Sequence, residues 1–352
     1  MKTIICLLCG GQSTEHEVSL LSALNVNAAI SREKYDVLNV GITKDGEWLW
    51  YKDGDFAQNA DDPMKVSLKP NGIPVSPIRM GGRTVLIAFG EGEAKPLPFD
   101  IIFPVMHGRN GEDGAIQGLA QLLGCPCVGC AMTASAICMD KAATKQVLEY
   151  EGIKTAPWIT IRKEDKLPDI AEVTSKLGMP LFVKPADAGS SVGVVKVNSA
   201  DEFAAAVAEA MKYDNHVLVE KCIVGREIEC AVLGNGDPFC AVPGEIVPKV
   251  SFYSYEAKYT LADGAELLAP ANLSQSEIER VQAIAKKAYS VIGCRGMSRV
   301  DFFYTPDGEF ILNEINTIPG FTKISMFPRL MCISGIAYSE LVEKLISLSL
   351  EE

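Results

Sequence analysis

Residues 298–316 hold the densest set of groups able to do chemistry. Ser298-Arg299-Val300-Asp301 is followed by Pro306-Asp307-Gly308 and then by Asn313-Glu314-Ile315-Asn316. Two strand-prone runs, Arg299 to Tyr304 and Glu309 to Ile315, flank a proline–glycine turn, which predicts a β-hairpin. Side chains two apart on a strand share a face, so Arg299 goes with Asp301 and Glu314 with Asn316. Two carboxylates and an amide oxygen suit Mg²⁺, a hard cation that usually bridges one or two carboxylates to phosphates. The arginine beside them is placed to hold an oxyanion or a phosphate. A solvated hairpin with chance charges would carry the same residues, so both readings stand at this point.

A second constellation runs from Lys184 through Pro185, Ala186, Asp187, Ala188, Gly189, Ser190, Ser191 and Val192 to Gly193. A lysine leaves a strand and enters a Gly/Ser loop, whose backbone N–H groups could form an anion nest. It is neither a Walker loop nor a dinucleotide fingerprint, because no Gly-Lys-Ser/Thr and no matching glycine spacing occurs. A flexible hairpin tip remains the plainer alternative for this loop alone.

The elements around these groups alternate. Thr3 to Cys9 reads as a buried strand, Thr14 to Glu17 as a capping box opening a helix to about Ile30, and Val37 to Ile42 as the next strand of a βαβ unit. Residues 45–98 read as a turn-rich insertion with short aromatic strands (Gly46 to Tyr51) and no recognisable chemistry. Ile101 to Val105 returns as a strand and delivers His107-Gly108-Arg109-Asn110-Gly111-Glu112-Asp113-Gly114. Loops at the carboxyl ends of parallel strands are where such folds place ligands, which marks Gly10-Gly11 and His107-Gly108. Further on, Lys141 to Glu151 and Gln275 to Ile292 read as helices, and Val217 to Glu220 and Glu227 to Leu233 as strands.

The chain of 352 residues is long enough for two or three domains. A formal charge of −12 excludes a nucleic-acid backbone as partner but not a nucleotide, which needs only local lysines. No apolar run approaches the ~20 residues of a membrane span. Eleven cysteines without a signal peptide imply free thiols in a reducing cytoplasm. Cys125, Cys127 and Cys130 lack a fourth zinc ligand at suitable spacing and read as small buried residues.

Taken in order, the lysine–glycine loop, a strand ending at Glu220-Lys221-Cys222-Ile223, Glu227, and the hairpin resemble the ATP-grasp superfamily. More narrowly, the chain resembles D-alanine–D-alanine ligases over nearly its whole length. The motifs are residues 10–19 (Gly-Gly-Gln-Ser-Thr-Glu-His-Glu-Val-Ser), 107–114, Met139-Asp140-Lys141, Lys184-Pro185 with Gly-Ser-Ser-Val-Gly, Tyr-Glu-Ala-Lys-Tyr at 255–259, and Asn-Thr-Ile-Pro-Gly-Phe-Thr at 316–322. The resemblance implies an α/β fold with an N-terminal parallel-sheet, Rossmann-like domain (1–129). A two-lobed ATP-grasp unit would follow, its lobes at 130–221 and 222–352.

It also implies roles. Lys141, Lys184 and Ser191 would hold ATP phosphates, Glu220, Lys221 and Ile223 the adenine, and Glu227 the ribose. Asp301, Glu314 and Asn316 would bind two Mg²⁺ ions, with Mn²⁺ able to substitute. Glu15 would meet the first D-alanine ammonium and, with Ser190 and Tyr259, close the flap; His107 would lie near that substrate. Lys258 would approach the γ-phosphate, Ser325 and Met326 the second D-alanine. Arg299 and the Gly320 N–H would stabilise the tetrahedral oxyanion. A cytoplasmic homodimer making D-alanyl-D-alanine for peptidoglycan is the implied setting. Resistance-type relatives joining D-alanine to D-serine or D-lactate carry arginine after the position of Ser325, where this chain has Met326. The 298–301 and 316–321 segments nevertheless resemble the D-serine subgroup as well.

Overall fold

The computed structural model describes residues 2–90, 94–187, 189, 192–249, 265–322 and 324–351. Among them, the strands build three principal sheets in chain order. In the first, Thr3–Gly10 runs parallel to Tyr35–Ile42 on one side and to Ile101–Val105 on the other. Ile5 to Cys9 are at most 1% exposed, as a parallel strand covered on both faces requires. The corner after this strand uses Gly10 and Gly11 at φ +81° and +105°. A side chain on Gly10 would meet the Ile42 carbonyl and the His16 ring.

The turn-rich insertion carries the expected aromatic strand, Trp48–Tyr51, and three further strands that extend this sheet. Trp48–Tyr51, Ile73–Met80, Arg83–Ala88 and Lys95–Phe99 add to it antiparallel. Pro74 and Pro77 interrupt the strand signal in sequence, yet Ile73–Met80 is a continuous strand. Arg79 Nη1 donates to Leu123 O at 2.6 Å and to Gly124 O at 3.3 Å, and Thr84 Oγ1 to Leu123 O at 3.1 Å. These donors satisfy carbonyls at the end of the helix Ala115–Leu123. The insertion therefore anchors the element that follows the His107 loop.

The second sheet is antiparallel, in the order Trp158–Arg162, His216–Lys221, Leu181–Pro185, Val195–Val197. Helices Ile170–Leu177 and Phe203–Ala210 cover it through Val173, Leu177, Phe203 and Val207. The strand that follows the Gly/Ser loop is short, Val195–Val197.

The third sheet runs Ala265–Leu268, Gly244–Pro248, Arg226–Leu233, Met297–Tyr304, Phe310–Asn316. The helix Gln275–Ile292 lies on one face, opened by a formed capping box between Ser274 and Glu277. Val281, Ala285, Ala288 and Tyr289 pack there on Ile228, Val232, Val300 and Phe302; each fully buried large apolar side chain contributes about 1.5–3 kcal/mol. Strand alternation then turns Glu227, Glu229, Arg299, Asp301, Glu314 and Asn316 to the opposite face. The helices Met326–Ile333 and Tyr338–Leu348 return to the first helix, His16–Ala29, in a shared core of Leu20, Ala23, Phe327, Leu341 and Leu345. All eleven cysteines are free thiols. No helix among the described residues is long and apolar enough to cross a membrane.

Candidate active site

The hairpin forms with Arg299 opposite Asn316 and Asp301 opposite Glu314, and a bulge follows Asp301. Arg299 grips Asp301 with two parallel bonds, Nε to Oδ1 at 2.8 Å and Nη2 to Oδ2 at 2.7 Å. Its Nε also lies 3.3 Å from Glu229 Oε1, a carboxylate that the sequence reading did not single out. Burial opposes the Arg299 charge, but Asp301 and Glu229 outweigh it and hold the guanidinium firmly protonated. Asn316 donates its Nδ2 to Asp301 Oδ2 at 2.9 Å. Among the described residues no three His, Cys, Asp or Glu side chains converge in metal-ligating geometry. Two carboxylates and one amide oxygen are what Mg²⁺ requires when phosphates supply further ligands, so the donor set fits that ion.

Cations from the preceding lobe face this hairpin. Lys141 opens the helix Lys141–Tyr150, whose N-cap Asp140 accepts from Ala142 and Ala143 N–H. Burial lowers the Lys141 pKa; Glu314 opposes that and Lys184 adds to it, so groups from both lobes act on one ammonium. The Glu220 side chain is buried between two lysines, with Lys184 Nζ 2.6 Å from Oε2 and Lys145 Nζ 2.9 Å from Oε1. Lys145 also donates to Ala156 O at 3.2 Å. Burial raises the Glu220 carboxyl, yet the two lysines prevail and keep it below the usual range. The cluster carries one net positive charge. Lys221 N–H and Cys222 N–H are taken by Pro157 O and Pro180 O. Lys221 is exposed at the end of the His216–Lys221 strand, Ile223 is half-buried just beyond it, and Glu227 is half-buried near the start of the strand Arg226–Leu233.

Loops of the first sheet close the third side. A side chain on Gly108, at φ +68°, would come within 2.8 Å of Glu15 Oε2, and one on Gly189 within 3.0 Å of the same atom. The two glycines thus let the His107 loop and the Lys184–Gly193 loop both approach one buried carboxylate. The capping box expected at Thr14 to Glu17 is not formed. The helix starts at His16 with Glu15 at the cap position and no side-chain cap bond, while Ser13 Oγ accepts from Glu15 N–H at 3.1 Å. The Glu15 carboxylate is directed at the two glycine loops rather than back along its helix.

His107 is 3% exposed and spans two partners, Ile318 O 2.9 Å from Nδ1 and Ser22 Oγ 3.1 Å from Nε2. Burial lowers its pKa despite the nearby Glu15 charge. Gly320 lies where an added Cβ would be 2.8 Å from Ser325 Oγ. Ser325 Oγ is bonded to Thr322 Oγ1 at 2.8 Å and accepts from Thr322 N–H at 3.0 Å. Met326 is buried at the start of its helix. Ser190, Ser191, Lys258 and Tyr259 lie outside the described residues.

Glu112 accepts from Gly108 N–H at 2.8 Å and from Ile318 N–H at 3.1 Å. Burial, reinforced by Glu15, pushes its carboxyl from 4.5 up to about 8. The fold then holds a proton that the unfolded chain releases. That stabilisation is complete below about pH 4.5 and lost as the pH rises through about 8. Glu112→Gln removes the titration, so its urea-unfolding free energy is expected to fall less than the parent's between pH 5 and 9. Equal slopes would exclude Glu112 as their source.

Lys145 and Glu229 left signals that alternation could have exposed. Lys145 is four residues after Lys141 on one helix face, and Glu229 is two after Glu227 on one strand face. Ser22 left none, and the 107–114 motif that contains Glu112 gave no sign of its bond to Ile318, because these partners are remote in sequence.

Family models described as D-ala D-ala ligase N-terminus and D-ala D-ala ligase C-terminus match residues 4–130 and 147–347. The D-alanine–D-alanine ligase A of Escherichia coli K12 is 46% identical over 352 residues, covering 99% of this chain and 96% of that protein. The D-alanine–D-alanine ligase A of Chromobacterium violaceum is 44% identical, with 100% and 96% covered. Among solved structures, the D-alanine–D-alanine ligase from Coxiella burnetii superposes with a TM-score of 0.86 at 38% identity, covering 99% of this chain and 94% of that one. The VanG D-Ala:D-Ser ligase from Enterococcus faecalis gives 0.87 at 36% identity, with 99% and 100% covered.

Proposed function

The chain belongs to the D-alanine–D-alanine ligase family, and on that premise we propose how its residues carry the reaction. It is an ATP-dependent ligase that joins two D-alanines through D-alanyl phosphate and supplies D-alanyl-D-alanine for peptidoglycan precursors. The residue assignment is supported by the pairing of Asp301 with Glu314 on the hairpin and by the charges of Glu314 and Lys184 acting on the buried Lys141 ammonium.

Lys141 and Lys184 act as point charges on the ATP phosphates. The net positive charge of the Lys145–Glu220–Lys184 cluster keeps Lys184 from being fully neutralised by Glu220. The 220–223 backbone and Ile223 face the adenine, Glu227 the ribose. Asp301, Glu314 and the Asn316 amide oxygen would hold Mg²⁺, or Mn²⁺ in its place, which would supply neutralisation of charge on the phosphoryl oxygens. Glu15 takes the ammonium of the first D-alanine, whose own carboxylate attacks the γ-phosphorus as ADP leaves, giving D-alanyl phosphate. The amine of the second D-alanine then attacks the acyl carbon and phosphate leaves. Arg299 and the Gly320 N–H receive the oxyanion of that step. A contact of Ser190 and Tyr259 with Glu15, as the family pattern assigns it, would exclude water from the acyl phosphate, with Ser191 and Lys258 assigned to the phosphates.

Buried, apolar Met326 beside Ser325 supports D-alanine at the second position, as do the higher identities to the D-alanine–D-alanine ligases. The three sheets support domains at 1–129, 130–221 and 222–352. A cytoplasmic homodimer is the accompanying proposal from the family. The test is ADP release with ATP and Mg²⁺, supplying D-alanine, L-alanine, or D-alanine with D-serine or D-lactate, and mass identification of the product. Turnover on D-alanine alone and none on L-alanine is expected; turnover only with D-serine or D-lactate would reassign the second substrate.

A further inference from the structure

Residues 318–321 follow the last hairpin strand and carry Gly320, yet they lie outside any sheet ladder. Their position is set by side chains from the other end of the chain. Ile318 O can only accept, so the His107 nitrogen 2.9 Å away, Nδ1, carries a proton. In the neutral ring favoured by burial, Nε2 is then an acceptor, and the Ser22 hydroxyl at 3.1 Å is its donor. With its proton committed, Ser22 Oγ presents lone pairs to the Phe321 N–H at 3.3 Å. Glu112 Oε1 takes the Ile318 N–H at 3.1 Å, while its Oε2 is tied to Gly108 N–H at 2.8 Å. Both backbone groups of Ile318 and the N–H of Phe321 are thereby clasped, one on each side of Pro319-Gly320.

We infer that Ser22 and Glu112 are positioning residues which, with His107 as the link, hold the Gly320 N–H at the place where the oxyanion forms. This rests on the reading above that Gly320 supplies an oxyanion donor. Such a donor works only within a few tenths of an ångström of its target, and a misplacement of about 1 Å costs roughly 10²-fold. The first step does not use this donor, so its loss separates the two halves of the reaction. D-alanyl phosphate still forms, but water displaces phosphate from the acyl carbon and returns D-alanine.

The experiment compares full-length Ser22→Ala, Ser22→Thr and Glu112→Gln with the parent, reading D-alanyl-D-alanine, ADP and the KM for ATP. Ser22→Ala is expected to lower the dipeptide rate 10–100-fold, to leave the KM for ATP within about twofold, and to raise ADP per dipeptide above one. Ser22→Thr, which keeps the hydroxyl, restores the coupling, and Glu112→Gln shifts it in the same direction as Ser22→Ala. A parental rate in Ser22→Ala overturns the inference. So does a slower rate with ADP and dipeptide still one to one, the mark of mere loss of folded enzyme. If the functional reading itself fails, the parent makes no dipeptide at all.

Discussion

Glu314→Gln is expected to leave a folded chain whose D-alanyl-D-alanine formation is slower by roughly 10³-fold or more, the equivalent of several kcal/mol of charge stabilisation. The substitution keeps shape and strand register, because Glu314 faces Asp301 across the hairpin on the side away from the packed helix. What changes is one charge in a site where Asp301 is already committed to Arg299 through both oxygens. Glu314 also supports the Lys141 ammonium against burial, so its charge acts on the cation that faces the hairpin. Isothermal titration of Mg²⁺ in the presence of a non-hydrolysable ATP analogue gives an independent readout. Loss of metal binding together with activity is the expected pattern. Full turnover in the variant would remove the metal assignment from this hairpin.

Arg299→Lys is expected to lower kcat by ~10²–10³ while leaving the KM for ATP within a few-fold. Lysine keeps the charge but offers a point donor instead of a planar fork. It cannot reproduce two bonds to Asp301 together with the 3.3 Å approach to Glu229. Glu229 gives Arg299 a second anchor on the neighbouring strand, where Glu229 stands opposite Asp301. The rest of the fork can then face a developing oxyanion without drifting. Steady-state kinetics with D-alanine varied against fixed ATP separates the two parameters. A kcat within threefold of the parent would show that charge alone suffices and that the fork geometry is incidental.

Much of the hairpin was legible because its information is local. Period-two alternation fixes which side chains share a face once a strand is assigned, and Arg299, Asp301, Glu314 and Asn316 occupy that face as expected. The helix Gln275–Ile292 was equally legible, bounded by Ser274 and Gly293. The capping box at Thr14 misled because the same residue pattern also suits a glutamate turned toward other loops, and only those loops decide between them. In the 45–98 segment the aromatic strand Trp48–Tyr51 was legible, but Ile73–Met80 and Lys95–Phe99 were not, because their prolines interrupt the strand signal.

The resemblance of ordered motifs carried the family, and alternation carried the chemistry of one hairpin face; both are written along the chain. Tertiary structure alone decided that Glu220 sits between Lys145 and Lys184, that Glu229 shares Arg299 with Asp301, and that Gly108 and Gly189 both approach Glu15. It alone joined His107 to Ile318 across 211 residues and Ser22 to Phe321 across 299. Side-chain facing follows from backbone period, a property of a few neighbouring residues. Charge pairing and hydrogen bonding act through space, so they depend on which burial the whole chain achieves.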